Sequence, residues 1–175
     1  MRAAGSGNIG ATNVARAVGI RLGVVTLLLD AAKGALPVIV ARRFGLAPAV
    51  QAAVALAAIS GHIFSPLAKF RGGKGVATAA GAFAALAPPV LLGSLAIFAA
   101  AAWRWRIVSL ASLAAAAGLP IFAAVLSAPN PTRVAAVITA VALLATHRDN
   151  IRRLLNGTEP RFRPRAARTS RTGKS

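Results

Sequence analysis

The chain has 175 residues, of which 57% are hydrophobic and 14% are charged, with 21 Lys and Arg against 3 Asp and Glu and no Cys. Soluble domains carry about 25% charged residues of both signs, so this composition excludes an ordinary soluble domain, and the length predicts a single domain. The lack of Cys excludes disulfides and thiolate metal sites, and three carboxylates argue against a metal centre. We expect no metal and no cofactor.

The basic residues, which give a net charge of +18, lie mainly between long apolar runs and after the last of them. A nucleic-acid-binding domain would instead place Lys and Arg along its helices. A membrane-spanning helix needs about 20 mostly apolar residues. We therefore expect an integral membrane protein that contacts membrane lipids and binds no nucleic acid.

The first half of the chain alternates polar and apolar segments. A polar segment at residues 5–16 (GSGNIGATNVAR) precedes an apolar run at 22–41, which contains Asp30 and Lys33. These two charges are one helical turn apart and should neutralise each other within the span or face the site, and we favour a structural pair. Residues 44–64 are uncharged, and a second polar segment follows at 61–75 (GHIFSPLAKFRGGKG). No apolar core that would indicate a signal peptide lies within residues 1–10.

The uncharged run at 76–102 contains Pro88-Pro89, which cannot lie inside an undistorted helix. Basic residues accumulate on the cytoplasmic side of membrane proteins. If the run forms two helices, most basic residues fall on one side, and the other side holds only Arg42, Arg43 and Arg133. We therefore predict two short helices broken at this proline pair.

Two further apolar runs lie at 107–132 and 134–146, before a third polar segment at 147–159 (HRDNIRRLLNGTE). The sequence thus predicts an all-α polytopic membrane helix bundle of about six transmembrane helices, formed by residues 1–159. Residues 160–175 are predicted to be a basic, disordered cytoplasmic tail. Both termini and the three polar segments are expected on the cytoplasmic side.

The three polar segments, which this topology brings to one face, combine Gly with side chains that donate hydrogen bonds to oxyanions. This pattern predicts a phosphate-bearing ligand. Two motif matches are rejected: Gly5–Gly10 fits G-x-G-x-x-G but follows no strand, and Gly75 occupies the position where a P-loop needs Ser or Thr.

Together the segments resemble the bacterial acyl-phosphate:glycerol-3-phosphate acyltransferases, the PlsY type. The first motif reads GSGNIGATN at 5–13 with Arg16, and the second reads GH at 61–62 and FRGGKG at 70–75. The third reads HRDN at 147–150, followed by Arg153, Gly157 and Glu159. The sequences DAAKG at 30–34 and RIVSL at 106–110 also resemble the family. Its members have seven transmembrane helices, so the helix before the first motif is expected to be missing here.

The resemblance implies transfer of an acyl group from acyl phosphate to the 1-hydroxyl of glycerol 3-phosphate. The products would be 1-acylglycerol 3-phosphate and phosphate, in the first step of phospholipid synthesis at the bacterial inner membrane. The enzyme that supplies acyl phosphate is a further expected partner. Because both substrates carry phosphate, the implied reaction agrees with the prediction made from the polar segments.

The resemblance also implies roles for individual residues. Those expected at the reacting hydroxyl or carbonyl are His147, Asn150 and Ser6. Those expected to bind substrate phosphate are Arg16, Lys74, Gly72, Gly73, Gly75, Asn8, Thr12, Asn13 and Ser109. Those expected to be structural are Glu159, Asp30, Lys33 and His62. Glu159 is expected to pair with Arg148, Arg152 or Arg153, and the general base is either His147 or the substrate's own phosphate.

A transporter of a phosphorylated metabolite is the alternative from another class, because it also needs basic groups near broken helices. It would need a polar path near the middle of the membrane, whereas these polar residues cluster on one side. A membrane scaffold would need none of these spacings. Acyltransferases with a His-x4-Asp motif are excluded, because Leu67 and Arg152 stand five residues after the two histidines.

Overall fold

The computed structural model describes residues 10–65 and 72–161, and this part of the chain contains helices and short connections without strands. The predicted residues Ser6 and Asn8, and the predicted tail after Arg161, lie outside the described residues. The helices are α1 (Ala11–Ala17), α2 (Ile20–Arg43), α3 (Pro48–Ile63), α4 (Val76–Leu86), α5 (Pro88–Trp105), α6 (Val108–Val125), α7 (Asn130–Thr146) and α8 (Arg148–Leu155). The prediction of an all-α fold is confirmed.

The predicted break at the proline pair is present, because α4 ends at Leu86 and α5 begins at Pro88. Proline suits the first turn of a helix, where its missing N–H has no intrahelical partner. α5 has 18 residues and is longer than predicted, since it continues through Trp103 and Arg104 to Trp105. It ends where Arg106 adopts a left-handed backbone conformation with φ 55°. The second of the two short helices therefore extends past the uncharged run into the segment that follows it.

The five apolar runs correspond to the six helices α2 to α7, because the run at 76–102 forms both α4 and α5. Among the described helices, α2 and α6 are each long and apolar enough to cross a membrane. A third span results if α7 and α8 are taken as one helix bent by 63°. The outer face of α2 exposes Leu22, Leu28 and Leu29 by 49–65%, as expected of side chains that contact lipid.

The short helix α4 lies at the centre of the bundle and contacts α2, α3, α5 and α7. Small residues allow its close approach to α2: a Cβ on Gly34 would overlap the Thr78 carbonyl oxygen, and one on Gly81 would overlap that of Ala31. Phe83 of α4 is fully buried in the core beside Ile59 and Val38. Packing from several sides therefore fixes the position of α4 and of the segment that precedes it.

At the end of the bundle opposite the polar segments, two of the three arginines predicted there donate hydrogen bonds to backbone carbonyl groups. Arg42 Nη1 donates to the Ala85 carbonyl oxygen at 2.5 Å, and Arg133 Nε donates to that of Ala128 at 2.7 Å. With 11 residues, α4 is only about 16 Å long, against a hydrocarbon core of about 30 Å. Arg42 thus provides a donor for a carbonyl group at the end of a helix too short to cross the bilayer.

Candidate active site

A cavity of about 490 Å³ lies at the end of the bundle where the three polar segments meet. All three segments contribute to its lining, as predicted. The predicted site residues that line it are Thr12, Asn13, Arg16, Asp30, His62, Lys74, Gly75, Ser109, His147, Asn150 and Glu159. The folded chain thus joins residues that are separated by more than a hundred positions in the sequence.

The start of α4 brings the second polar segment to the cavity. Gly75 caps α4 with φ 87°, a left-handed conformation that glycine adopts without strain. A Cβ at this position would also lie 3.1 Å from the Ile63 side chain. The turn at Gly75 places Lys74 at the cavity wall, two residues before the first residue of the helix.

Lys74 makes two hydrogen bonds, one with the third polar segment and one with the last residue of α7. Its Nζ donates to Asn150 Oδ1 at 2.5 Å, and its backbone oxygen accepts from Thr146 Oγ1 at 3.0 Å. Burial lowers the pKa of Lys74, and the nearby charges of Arg153 and Arg16 lower it further, while Glu159 opposes them. Lys74, Arg16 and Arg153 therefore form a group of cations, close enough to influence one another, that a bound anion would stabilise.

Glu159 connects α6 and α8 through three hydrogen bonds. Its Oε1 accepts from Ser109 Oγ at 2.7 Å and from Asn150 Nδ2 at 2.6 Å, and its Oε2 accepts from Arg153 Nε at 2.7 Å. The predicted ion pair is therefore made with Arg153. Burial alone would raise the pKa of Glu159, but these hydrogen bonds and the Arg153 charge hold it below its ordinary value. The carboxylate remains ionised and fixes three residues of the cavity wall.

Asn150 lies in the first turn of α8 and is buried between Lys74 and Glu159. Its amide nitrogen donates to Glu159 and its oxygen accepts from Lys74, so these two bonds fix the orientation of the amide. The prediction placed Asn150 at the reacting hydroxyl. The structure adds a positioning contact, through which Asn150 holds the Lys74 ammonium group at the cavity.

His147 occupies the junction between α7 and α8 and is 2% exposed. Its Nδ1 lies 2.8 Å from the Leu143 carbonyl oxygen, which can only accept, so Nδ1 carries the proton and Nε2 is left as the acceptor of a neutral ring. Burial lowers the pKa of His147 to about 4; the Leu143 hydrogen bond opposes this shift, and the Lys74 charge adds to it. His147 is therefore neutral near pH 7.

We expect the imidazole of His147 to titrate near pH 4 rather than near the ordinary value of about 6.5. The chain has two histidines, so a His62→Asn variant contains His147 alone. Nitrogen-15 NMR of this variant, labelled at histidine in detergent micelles, should show the neutral ring with Nδ1 protonated from pH 8 down to about 5. A midpoint above pH 6 would contradict the assignment.

Several residues of the cavity wall were missed by sequence reasoning. Leu27, Phe98, Val108 and Ser112 lie inside apolar runs, where no local polarity distinguishes a wall residue from a lipid-facing one. A signal existed for Leu27 and for Ser112, because each lies three residues from a predicted polar residue, Asp30 or Ser109, and so shares its helix face. Arg153 also lines the cavity, whereas the sequence suggested only its pairing with Glu159.

Among the predicted site residues that the structure describes, three do not line the cavity. Lys33 is 46% exposed and pairs with Asp30 at 2.6 Å, as expected of a structural pair. Gly72 and Gly73 pack against His62 instead, where a Cβ on either would overlap that residue. The predicted contact of their backbone with phosphate stays a prediction, and the structure adds a second reason for glycine here, which is close packing against the end of α3.

The cavity joins two chemical surfaces. Cationic and hydrogen-bonding groups form one part, and the apolar side chains of Leu27, Phe98 and Val108 form another. Within residues 10–65 and 72–161, no group of three or more His, Asp or Glu side chains is placed to hold a metal ion. The arrangement suits an amphipathic molecule that carries both phosphate and hydrocarbon.

Comparison with known proteins agrees with this geometry. Residues 1–157 match the family model of glycerol-3-phosphate acyltransferase. The glycerol-3-phosphate acyltransferase of Syntrophotalea carbinolica is 49% identical over 165 residues, which cover 93% of this chain and 84% of that protein. The enzyme of the same name from Geobacter sulfurreducens is 47% identical over 163 residues, with coverage of 93% and 84%.

A solved structure is also similar. The crystal structure of PlsY (YgiH), an integral membrane glycerol 3-phosphate acyltransferase, in its glycerol 3-phosphate form superposes with a TM-score of 0.89 at 40% identity and covers 93% of this chain and 82% of that one. Its lysophosphatidic acid form gives a TM-score of 0.85 at the same identity, with coverage of 90% and 81%. These matches confirm the prediction of an integral membrane acyltransferase over that of a transporter. The chain belongs to the glycerol-3-phosphate acyltransferase family.

Proposed function

We propose that the chain transfers an acyl group from acyl phosphate to the 1-hydroxyl of glycerol 3-phosphate, forming 1-acylglycerol 3-phosphate and phosphate. One observation carries the proposal: a single cavity combines three cations, an apolar wall and the buried neutral His147. Both substrates are phosphate-bearing anions, and one of them also has a long hydrocarbon chain. Each part of the cavity therefore has a counterpart in the substrates.

The phosphate groups are proposed to bind Arg16 and Lys74 at the amino end of α4. Arg16 offers a planar pair of donors and Lys74 a compact charge. The unpaired backbone N–H groups after Gly75 add a favourable dipole. Thr12, Asn13 and Ser109 supply polar atoms at the wall, and Ser6 and Asn8, in the same motif, are proposed to do likewise.

His147 is proposed to orient the attacking hydroxyl by accepting its proton in a hydrogen bond at Nε2. Attack forms the new ester C–O bond, and the C–O bond to the phosphate breaks as that group leaves. A ring with a pKa of about 4 is a weaker base than a phosphate dianion, whose conjugate acid has a pKa of about 6. The hydroxyl proton therefore ends on the departing phosphate, and His147 stays neutral.

The acyl chain is proposed to lie along the wall formed by Leu27 of α2 and Phe98 of α5. Leu27 is also 47% exposed on the outer face of the bundle, so the cavity is bordered by a side chain that contacts lipid. This geometry supports a donor that enters from the bilayer, while glycerol 3-phosphate enters from water. An acyl phosphate fits such a route better than a large soluble thioester.

The orientation proposed is that of the bacterial inner membrane with the three polar segments in the cytoplasm, where glycerol 3-phosphate is available. The excess of Arg and Lys on this side supports it. Residues 1–159 are proposed to form one membrane-embedded domain, and the enzyme that makes acyl phosphate is its proposed supplier. Glu159 and the Asp30–Lys33 pair have structural roles in this account.

The test is an assay of purified protein in detergent, with radiolabelled glycerol 3-phosphate and either palmitoyl phosphate or palmitoyl-CoA. We expect labelled 1-acylglycerol 3-phosphate from palmitoyl phosphate at a rate at least about 100 times that from the thioester. Transfer from palmitoyl-CoA alone would overturn the proposed donor. A His147→Asn variant, which cannot offer the same acceptor, should lower kcat more than it raises KM.

A further inference from the structure

His62, at the end of α3, is a buried side chain that borders the cavity and has no role in the proposed reaction. Its Nδ1 lies 3.6 Å from Asp30 Oδ1, and the same carboxylate oxygen accepts from Lys33 Nζ at 2.6 Å. Asp30 is fixed on α2 and His62 on α3. The buried imidazole therefore lies between α2 and α3, with little space to shift if an adjacent residue becomes larger.

The adjacent residues are Gly72 and Gly73, the glycine pair that precedes Lys74. A Cβ on Gly73 would overlap the His62 ring at Nε2 and Cε1, and a Cβ on Gly72 would overlap the His62 carbonyl oxygen. The Gly72 N–H donates to the Ile63 carbonyl oxygen at 3.1 Å. Neither glycine has the positive φ that would itself require glycine, so the requirement here is one of space.

The position of this pair determines where Lys74 lies, because Lys74 follows it directly. The end of α3 holds the segment on one side, through His62 and Ile63. On the other side, Thr146 donates to the Lys74 carbonyl oxygen and Asn150 accepts from Nζ. The backbone of Lys74 is thus held between α3 and α7, and its side chain extends to α8.

We propose that His62, supported by Asp30, is a positioning residue: its ring seats the backbone at Gly73 and so sets the place of Lys74 in the cavity. The proposal rests on the proposed function of Lys74 as a ligand of substrate phosphate. His62 itself need not touch the substrate. A displaced Lys74 would weaken binding of glycerol 3-phosphate before it altered the fold, because the remaining contacts of α3 and α4 are apolar.

The test is a mutant cycle between His62 and Gly73, made in the full chain. Gly73→Ala should raise KM for glycerol 3-phosphate about tenfold or more, because the new methyl group pushes against the fixed ring. In a His62→Ala background the methyl group has room. Adding Gly73→Ala there should change KM by less than about threefold relative to His62→Ala alone.

Gly72→Ala provides the matched control, since its methyl group would meet backbone atoms that a change of the His62 side chain leaves in place. The rise in KM that Gly72→Ala causes should therefore persist in the His62→Ala background. If Gly73→Ala is as harmful there as in the wild-type chain, the packing role of His62 is wrong and contact of Gly73 with substrate takes its place. An equal rescue of Gly72→Ala would also overturn it.

The same proteins separate this proposal from the function on which it rests. Melting temperatures in detergent report the clash between Gly73→Ala and His62 without any substrate, and the cycle should show the same relief. A wild-type chain that fails to acylate glycerol 3-phosphate, beside a positive cycle in melting temperature, would overturn the function and leave the contact standing. An active wild type with additive effects in both readouts would overturn the positioning role alone.

Discussion

Replacing Lys74 by Met is expected to lower kcat/KM for glycerol 3-phosphate by about 10³-fold, with the melting temperature in detergent changed by only a few degrees. Removing one preorganised charge from a site that stabilises a developing negative charge costs about 10²–10³ in rate. Lost ground-state binding of phosphate adds to this. The ammonium group lies at the cavity wall, where it donates to Asn150, and we expect no other side chain to supply a charge at the same position.

Arg104→Met is the matched control for Lys74→Met. Arg104 lies on the same side of the bundle, is exposed, stacks on Trp105 at 5.7 Å and does not line the cavity. Its loss removes the same unit of charge from this side, and the rate should stay within about threefold of wild type. If both variants lose activity equally, the loss reflects the total positive charge on this side of the bundle, and the local role of Lys74 is contradicted.

Glu159→Ala should destabilise the protein more than any other single change at the cavity. The carboxylate is 5% exposed and accepts from Ser109, Asn150 and Arg153. Without it, three donors lose their acceptor, at a cost of about 1–3 kcal/mol for a buried group left unsatisfied. Part of this is recovered because the Arg153 side chain is 35% exposed and can turn to water. We expect a fall in melting temperature together with loss of activity. Because the chain has no Cys for a thiol-reactive dye, the melting temperature is measured by tryptophan fluorescence or light scattering.

Asp149→Asn is the control for Glu159, because it removes an exposed carboxylate from the same short helix α8. Its melting temperature should match wild type within about a degree. The pH dependence gives a second readout. The pKa of Glu159 is lower in the folded chain than its ordinary value of 4.5, so its contribution to stability is present above that value and is lost as the pH falls through the folded pKa.

His147 affects acid stability in a different pH range, so its contribution can be distinguished from that of Glu159. Its pKa falls from 6.5 to about 4 on folding, so the unfolded chain takes up a proton first, and this contribution to stability declines between these two values. Glu159→Gln should therefore flatten the dependence of melting temperature only below about pH 4.5. Flattening across the range from 6.5 to 4.5 would contradict the assignment to Glu159.

Much of the fold follows from the distribution of charge and proline. The break at Pro88 was predictable because a proline pair cannot lie within a helix, and because only two helices there place most basic residues on one side. The convergence of residues 10–16, 72–75 and 147–159 follows from the same topology. The length of α5 was not predictable in this way, because Arg104 lies beside Trp105 at the end of the helix, where a charged head remains accessible to water.

The sequence predicted the polar residues of the site. The prediction was incomplete for the residues whose position depends on helix packing. Nothing local in the sequence distinguishes Phe98, which lines the cavity, from Trp103, which lies five residues later in the same helix and is 83% exposed. Likewise, the spacing of Gly72 and Gly73 suggests an anion loop and gives no sign of their packing against the side chain and backbone of His62, ten residues earlier. Such contacts depend on how α3 and α4 meet, which periodicity does not specify.

The central claim is that this cavity moves an acyl group between two phosphate compounds. Phosphorus-31 NMR of purified protein in micelles with palmitoyl phosphate and glycerol 3-phosphate tests it directly, because substrates and products give separate signals. We predict that the two substrate signals decline together while inorganic phosphate and 1-acylglycerol 3-phosphate appear in equal amounts, and that Lys74→Met slows all four changes. Inorganic phosphate released without acylated product, or unchanged signals with the wild-type chain, would contradict the account.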